Sequence, residues 1–279
     1  MADEKEWFES VVSEDDLPPS REIDTSVPHI ARIYNYWLGG KDNFAVDREA
    51  AEKVMRATPT VRPGVRANRA FLGRAVRHLT GQAGIRQFLD IGTGIPSADN
   101  THEVAQATAP DSRVVYVDND PIVLAHARAL LTSVTGTTAY LDADVRDPAA
   151  ILSGAAATLD FSQPVAVMLI AIMHCVPDED DPYGIVRRLI NAVPPGSYLV
   201  LSQPAIDQAP EHAAEAEAAL TKSMRQKVTF RTHDQVERFF DGLELLEPGV
   251  VALPQWRPDE PVDPDGPVTG MWGGVGRKL

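Results

Sequence analysis

Five short apolar runs punctuate the chain from Arg86 onward: Gln87–Ile91, Val114–Asp118, Thr138–Leu141, Val165–Ile170 and Tyr198–Ser202. Segments of helical character lie between them, at Ser97–Thr108, Pro121–Leu131, Pro148–Leu152 and Tyr183–Ala192. A run that is apolar throughout, rather than at every second residue, suits a strand buried on both faces. Such strands alternating with helices predict an α/β fold with a parallel sheet covered on both sides. Beyond them, Ala205 to Lys227 reads as an alanine- and glutamate-rich helix and His233–Phe240 as a shorter one. Leu243–Leu253 and Val268–Val275 read as a last, antiparallel pair of strands, joined by a connection stiffened by five prolines between 254 and 267.

Ahead of the sheet, residues 25–80 read as helices. Ser26 can cap the first and Pro28 suits a first turn. Ile30, Ile33, Tyr34 and Trp37 keep helical spacing, and Gly39-Gly40 stops it. A second helix spans Asp47 to Met55, and a third spans Gly64 to Leu79 with Phe71, Leu72, Ala75, Val76 and Leu79 inward. The expected organisation is an acidic tail over 1–24, a helical cap over 25–80, and a core over 81–279 with a helical insertion at 205–240.

The chain has 279 residues and a formal charge of −14; residues 1–22 hold eight acids against two bases. Phosphate binding needs a basic surface, so this balance argues against a nucleic-acid partner and favours a small-molecule or protein substrate. No apolar run approaches the roughly 18 residues of a membrane span. A single cysteine, Cys175, excludes an intrachain disulfide and a cysteine-rich metal site, and fits a reducing, cytoplasmic setting. No metal is expected. Oligomeric state is left open.

The chemistry concentrates where the first strand meets its glycine turn, Asp90-Ile91-Gly92-Thr93-Gly94. In doubly wound sheets, nucleotide-type cofactors bind at such strand ends. A dinucleotide fingerprint needs a third glycine; that place is Ser97. Asp90 would repel a pyrophosphate but suits a ligand with an ammonium group, and Asp118, ending the second strand, suits a ribose diol. S-adenosylmethionine meets these conditions, with the start of the following helix facing its carboxylate. A nicotinamide cofactor meets them less well.

The runs Phe88-Leu-Asp-Ile-Gly-Thr-Gly94, Val115-Tyr-Val-Asp-Asn-Asp-Pro121 and Tyr140-Leu-Asp-Ala-Asp-Val-Arg-Asp147 resemble successive motifs of class I S-adenosylmethionine-dependent methyltransferases. Arg32-Ile-Tyr-Asn-Tyr-Trp-Leu-Gly-Gly-Lys-Asp-Asn-Phe44, with Ala67-Asn-Arg-Ala-Phe71, resembles more narrowly an actinomycete methyltransferase-like family of unassigned substrate. The resemblance covers about residues 24–279. It implies a Rossmann-like doubly wound seven-stranded sheet, order 3-2-1-4-5-7-6, with strand 7 antiparallel. It implies that Asp90, Gly92 and Gly94 hold the methionine end, Asp118 the ribose, and Asn119, Asp144 and Val145 the adenine, with Ile170 and Ala171 beside the sulfonium.

Methyl transfer is a displacement at an activated carbon, so a base is needed only for a protonated acceptor. His174, after the fourth strand, is the candidate base. Cys175 has no activating partner, and Asp178, Glu179, Asp180 and Asp181 read as a solvated helix start. Asn35, Tyr36, Lys41, Asn43, Asn68 and Arg69 are candidates for holding the acceptor, whereas Tyr34 and Trp37 read as core. The arginines 62, 66, 69, 74 and 77 are candidates for meeting an anionic substrate group. The expected activity is methylation of a small molecule; a silent module that senses S-adenosylmethionine or S-adenosylhomocysteine is the alternative.

Overall fold

All five residues of β1 (Gln87–Ile91) are buried, because this strand sits between two parallel neighbours and under helices on both faces. The computed structural model describes residues 24–130, 137–224, 227–263, 266 and 268–279; the acidic segment 1–23 lies outside them. The helices are α1 (Ile30–Leu38), α2 (Ala45–Ala57), α3 (Val61–Gly81), α4 (Thr101–Thr108), α5 (Pro121–Leu130), α6 (Pro148–Ala155), α7 (Pro182–Asn191), α8 (Pro210–Met224) and α9 (His233–Glu237). The remaining strands are β2 (Arg113–Asp118), β3 (Thr137–Asp142), β4 (Ala166–Ile170), β5 (Tyr198–Pro204), β6 (Glu244–Leu245), β7 (Val251–Ala252) and β8 (Met271–Arg277).

The sheet order is β3-β2-β1-β4-β5-β8-β6, parallel from β3 to β5 and antiparallel at β8. This is the expected seven-strand order. The antiparallel strand is the eighth in chain order because a two-residue β7 pairs with β8 off the main path. Leu243–Leu253, read as one strand, is two short pieces. Pro248 and Gly249, the latter at φ +88°, turn the chain between β6 and β7, and both pieces pair with β8.

Alternation along the strands divides the core. Leu89, Ile91, Val115, Val117, Val167 and Leu169 pack with α6 and α7 on one face. Phe88, Val114, Tyr116, Ala166 and Met168 pack on the other against Phe71, Leu72, Val76 and Leu79 of α3. Fully buried Trp256 meets the Phe71 ring edge-on at 5.4 Å, and Arg74 donates to the Trp256 and Leu253 carbonyls at 2.9 and 2.7 Å. The proline-rich connection is therefore anchored in the core. A third cluster joins Ile33 and Trp37 of α1, Ala50, Ala51 and Val54 of α2, and Ala216, Leu220 and Met224 of α8.

Several helix starts differ from expectation, and α2 and α3 begin two and three residues early, at Ala45 and Val61. α1 begins after His29, and Ser26 instead bonds Asp24. α4 begins at Thr101, four residues after Ser97, where Asn100 and Glu103 form a capping box. α8 begins at Pro210, since β5 continues to Pro204.

Candidate functional site

Where β1 ends, Gly92 and Gly94 adopt φ +75° and +67°, left-handed values that a side chain resists. A Cβ on Gly92 would also lie 2.5 Å from Ile172. The Gly92 and Thr93 amides donate to the Val117 carbonyl at 2.8 and 3.2 Å, which ties the turn to β2. Over this turn opens a cavity of about 470 Å³. Asp90, Gly92, Gly94, Asp118, Asn119, Asp144, Val145, Ile170 and Ala171 all line it, each from a strand end or the turn after it.

Two buried carboxylates stand in the cavity wall. Asp90 accepts a hydrogen bond from the Thr101 hydroxyl at 2.6 Å. Burial pushes its pKa up to about 6, against the opposing effects of Thr101 and Arg69. Among the described residues it forms no ion pair, Arg69 acting on it only through space. Burial also raises Asp118, opposed by the Asp120 and Gly94 amides that donate to its two oxygens at 3.0 and 2.8 Å. The sheet register sets Asp90 opposite Tyr116, so Asp118 lies two residues further along the adjoining strand.

At β3, Asp144 accepts from Asn119 Nδ2 at 3.1 Å and from the Arg146 amide at 2.8 Å. Arg146, which the motif reading passed over, donates onward to Asp180 at 2.8 Å and to the Cys175 carbonyl at 2.7 Å. It lines the cavity and ties the third strand end to the segment after the fourth. The only sequence signal for it was its place next to Asp144-Val145.

Helices α1 and α3 close the cavity from above. α1 presents Ile30, Ala31, Tyr34 and Leu38, one face of a 3.6-residue period. Tyr34, expected in the core, lies on the cavity; its hydroxyl donates to the Val65 carbonyl at 3.1 Å and accepts from Asn68 Nδ2 at 2.9 Å. Asn68 accepts from the Ser202 hydroxyl at 2.6 Å, and that hydroxyl accepts from the Ala171 amide at 3.0 Å. This chain of bonds holds Ala171 at φ +51°, a strained value for a residue with a side chain. Arg69 donates to the Ala98 and Asp99 carbonyls at 2.9 and 2.8 Å, with its Nε unpartnered, and it too lines the cavity. His29, ahead of α1, pairs with Asp120 at 2.8 Å across the rim.

The other acceptor candidates lie elsewhere. Asn43 donates to Asn35 at 2.9 Å and to the Gly40 carbonyl at 3.0 Å, bracing the turn after α1. Tyr36 donates to Glu52 at 3.2 Å, and Lys41 is exposed. None of the four lines the cavity. Among the five arginines of this region, only Arg69 does; Arg77 pairs with Asp259, and Arg62 lies over the Tyr36 ring.

His174 also stands outside it. It is buried, its Nδ1 has no partner, and burial with the Arg231 charge lowers its pKa to about 4. It is a neutral imidazole near pH 7 and a weak proton acceptor. Cys175 reaches the cavity, but burial pushes its thiol up to about 12. The four acids that follow are paired rather than simply solvated. Asp178 meets Arg231, Glu179 meets Lys227, Asp180 meets Arg146, and Asp181 caps α7 at the Gly184 amide. Among the described residues, the one grouping able to hold a metal is His233, Asp234 and Glu237 on α9, which lines neither this cavity nor the one beside His174. No described helix is long and apolar enough to cross a membrane.

Residues 16–279 match the family described as S-adenosyl methyltransferase. No protein of curated function matches the chain. A DUF574 family protein from Streptomyces avermitilis MA-4680 is 47% identical, with a TM-score of 0.88 over 92% of this chain and 100% of its own. A candidate methyltransferase from Thermobifida fusca YX is 42% identical, with a TM-score of 0.86 over 93% of this chain and 98% of its own. The plantazolicin methyltransferase BamL, solved with a triazolic desmethylPZN analogue and S-adenosylhomocysteine, is 11% identical, with a TM-score of 0.52 over 89% of this chain and 95% of its own, a likeness of fold alone.

Proposed function

The chain belongs to the S-adenosyl methyltransferase family, with S-adenosylmethionine as its methyl donor, and from that premise we propose how its own residues hold the donor and which kind of molecule it methylates. Bound in the cavity at the strand ends, S-adenosylmethionine supplies a methyl carbon activated by a sulfonium. Asp90 receives the ammonium of the methionine end, and the Gly92–Gly94 backbone passes close beside it. Asp118 accepts from the ribose hydroxyls. Asn119 and Asp144 meet the adenine edge, Val145 packs on its face, and Ile170 and Ala171 border the sulfonium. Arg69, whose Nε is unpartnered, is the donor best placed for the ligand's carboxylate. It takes the role that the sequence suggested for a helix N-terminus, because α4 starts too far along.

The observation that carries this reading is the pair of buried carboxylates, Asp90 and Asp118, in one cavity beside a left-handed glycine turn. A buried carboxylate raised to about 6 gains from an ammonium and would be opposed by a pyrophosphate. Helices α1, α2 and most of α3 serve as the cap, residues 25–80, and α8, within the core's insertion 205–240, packs against it. The acidic charge balance supports a small-molecule acceptor, and the single cysteine supports a cytoplasmic setting. A second, apolar cavity adjoining the first supports transfer over mere sensing, since a sensor has no use for an acceptor chamber.

Calorimetry on the full chain with S-adenosylmethionine, S-adenosylhomocysteine and NAD tests the assignment. Binding of the first two and none of NAD is expected. NAD binding without S-adenosylmethionine binding would contradict it.

A further inference from the structure

Beside the large cavity lies a chamber of about 90 Å³ among α1, α2, α3, α8 and the ends of β4 and β5. Ile30, Tyr34 and Ala171 line both spaces and so form the wall between them. Ala171 is the residue held at a strained φ by the Ser202–Asn68–Tyr34 chain. The chamber's own walls are apolar: Trp37, Val54, Leu220, Phe230 and Met271 contribute. The Trp37 indole N–H is satisfied by the Ala51 carbonyl at 3.3 Å, and the Tyr34 hydroxyl by Val65 and Asn68.

Two lining groups are not satisfied. His174 Nδ1 and Thr269 Oγ1 have no hydrogen-bond partner, although the residues are only 5% and 8% exposed. Leaving such groups unpaired is unfavourable by an amount comparable to a lost hydrogen bond. Two residues that line an apolar chamber next to a cofactor cavity thus each carry an unmet polar atom, as suits a site for a ligand with one polar end. No charged side chain lines the chamber to meet a charged ligand.

We propose that this chamber is the methyl-acceptor subsite and that it takes the reacting end of a small, uncharged, largely apolar molecule bearing a hydroxyl, held by His174 and Thr269. The proposal rests on the reading of the larger cavity as the S-adenosylmethionine site. Charged acceptors such as carboxylates and amines are disfavoured, because the chamber would strip their water and return no counter-charge. His174 acts here as a positioning residue, offering a neutral imidazole to the hydroxyl; in the transfer the hydroxyl oxygen would bond to the methyl carbon as the methyl–sulfur bond breaks to leave S-adenosylhomocysteine, and the hydroxyl proton would be released to solvent. At about 90 Å³ the chamber is smaller than the apolar cavity of about 150 Å³ that encloses benzene, but it is not closed off, so a branched alkyl end fits within it and a ring enters in part.

The test uses phenol, toluene, benzoate and benzylamine as probes on the full chain saturated with S-adenosylhomocysteine, read by ligand-observed NMR and calorimetry near neutral pH. Phenol should bind at least about tenfold tighter than toluene, as loss of one good hydrogen bond predicts, and tighter than either charged probe. Leu220→Trp should fill the chamber and remove phenol binding while S-adenosylhomocysteine affinity stays within about twofold, as expected for separate sites. His174→Phe should erase the preference for phenol over toluene. If Leu220→Trp loses S-adenosylhomocysteine binding through misfolding, Ala216→Leu fills the same space, and magnetisation transfer from the wild-type Leu220 methyls to phenol locates the probe. Phenol binding that survives both fillings, or benzoate or benzylamine binding tighter than phenol, overturns the proposal. Failure of S-adenosylhomocysteine itself to bind would instead overturn the reading of the larger cavity.

Discussion

The two cavities share a wall yet are built in opposite ways. The larger one is polar where it matters, with its carboxylates presented by consecutive strand ends and the turns after them. The smaller one is apolar and assembled from three consecutive helices and the distant α8, with one buried histidine and one threonine carrying unpaired polar atoms. The first recognises a ligand by charge and backbone approach. On the proposed reading the second recognises by shape and by hydrogen bonds to His174 and Thr269. A rigid sheet can hold a conserved chemistry while a helical cap is free to vary its acceptor, which is how one fold serves many substrates.

The contrast has a measurable consequence in pH. Asp90 is raised from 3.8 to about 6, so between those values the folded state holds the proton that the unfolded chain releases. Its contribution makes stability fall as pH rises from about 4 to 6. His174 is lowered from 6.5 to about 4, so the unfolded chain takes up the proton first. Its contribution makes stability fall as pH drops from about 6.5 to 4. Each amounts to something on the order of 3 kcal/mol at full extent, and over pH 4–6 they oppose. Denaturant melts of the ligand-free chain should therefore show stability rising more steeply with pH in Asp90→Asn than in the wild type, and rising less or falling in His174→Phe. Parallel profiles for all three would mean that neither group is buried as described.

Gly92→Ala should act on the larger cavity alone. It forces a Cβ into a left-handed φ and against Ile172, a penalty of about 1–3 kcal/mol in strain before any ligand is added. Cofactor affinity should fall accordingly, with the Leu220 chamber still able to take phenol. A smaller effect is expected of acid on the cofactor itself. As pH falls through about 6, Asp90 in the free protein takes up a proton and ceases to attract an ammonium, so S-adenosylmethionine affinity should weaken. Asp90→Asn should bind more weakly at neutral pH and lose this dependence. The smallest effect belongs to Lys41→Ala, an exposed residue outside both cavities, which should leave stability and cofactor affinity within about 0.5 kcal/mol.

The larger cavity was legible in the sequence because its residues are local: each sits within a few positions of a strand end that apolar runs reveal. Strand order and the antiparallel last strand came from resemblance and agree with the sheet. The cap was harder to read. On α1 the polar residues looked like ligand contacts and the aromatic Tyr34 like core, yet Asn35 and Tyr36 serve the turn and α2 while Tyr34 faces both cavities. Which face of a helix looks inward is decided by its partners, and α8 lies about 180 residues further along the chain. His174 was visible as a titratable group after β4, but not its burial, which depends on Phe230 and Arg231 folding over it. Trp256 gave no periodic signal among prolines, although it is fully buried against α3.

The most direct test of the central claim, that neighbouring strand ends hold the methyl donor through buried carboxylates, is the calorimetric affinity of Asp118→Ala for S-adenosylmethionine. The charge-assisted hydrogen bonds proposed between Asp118 and the ribose predict a loss of about 1.5–3 kcal/mol, with the fold intact. Affinity unchanged from the wild type would contradict the account.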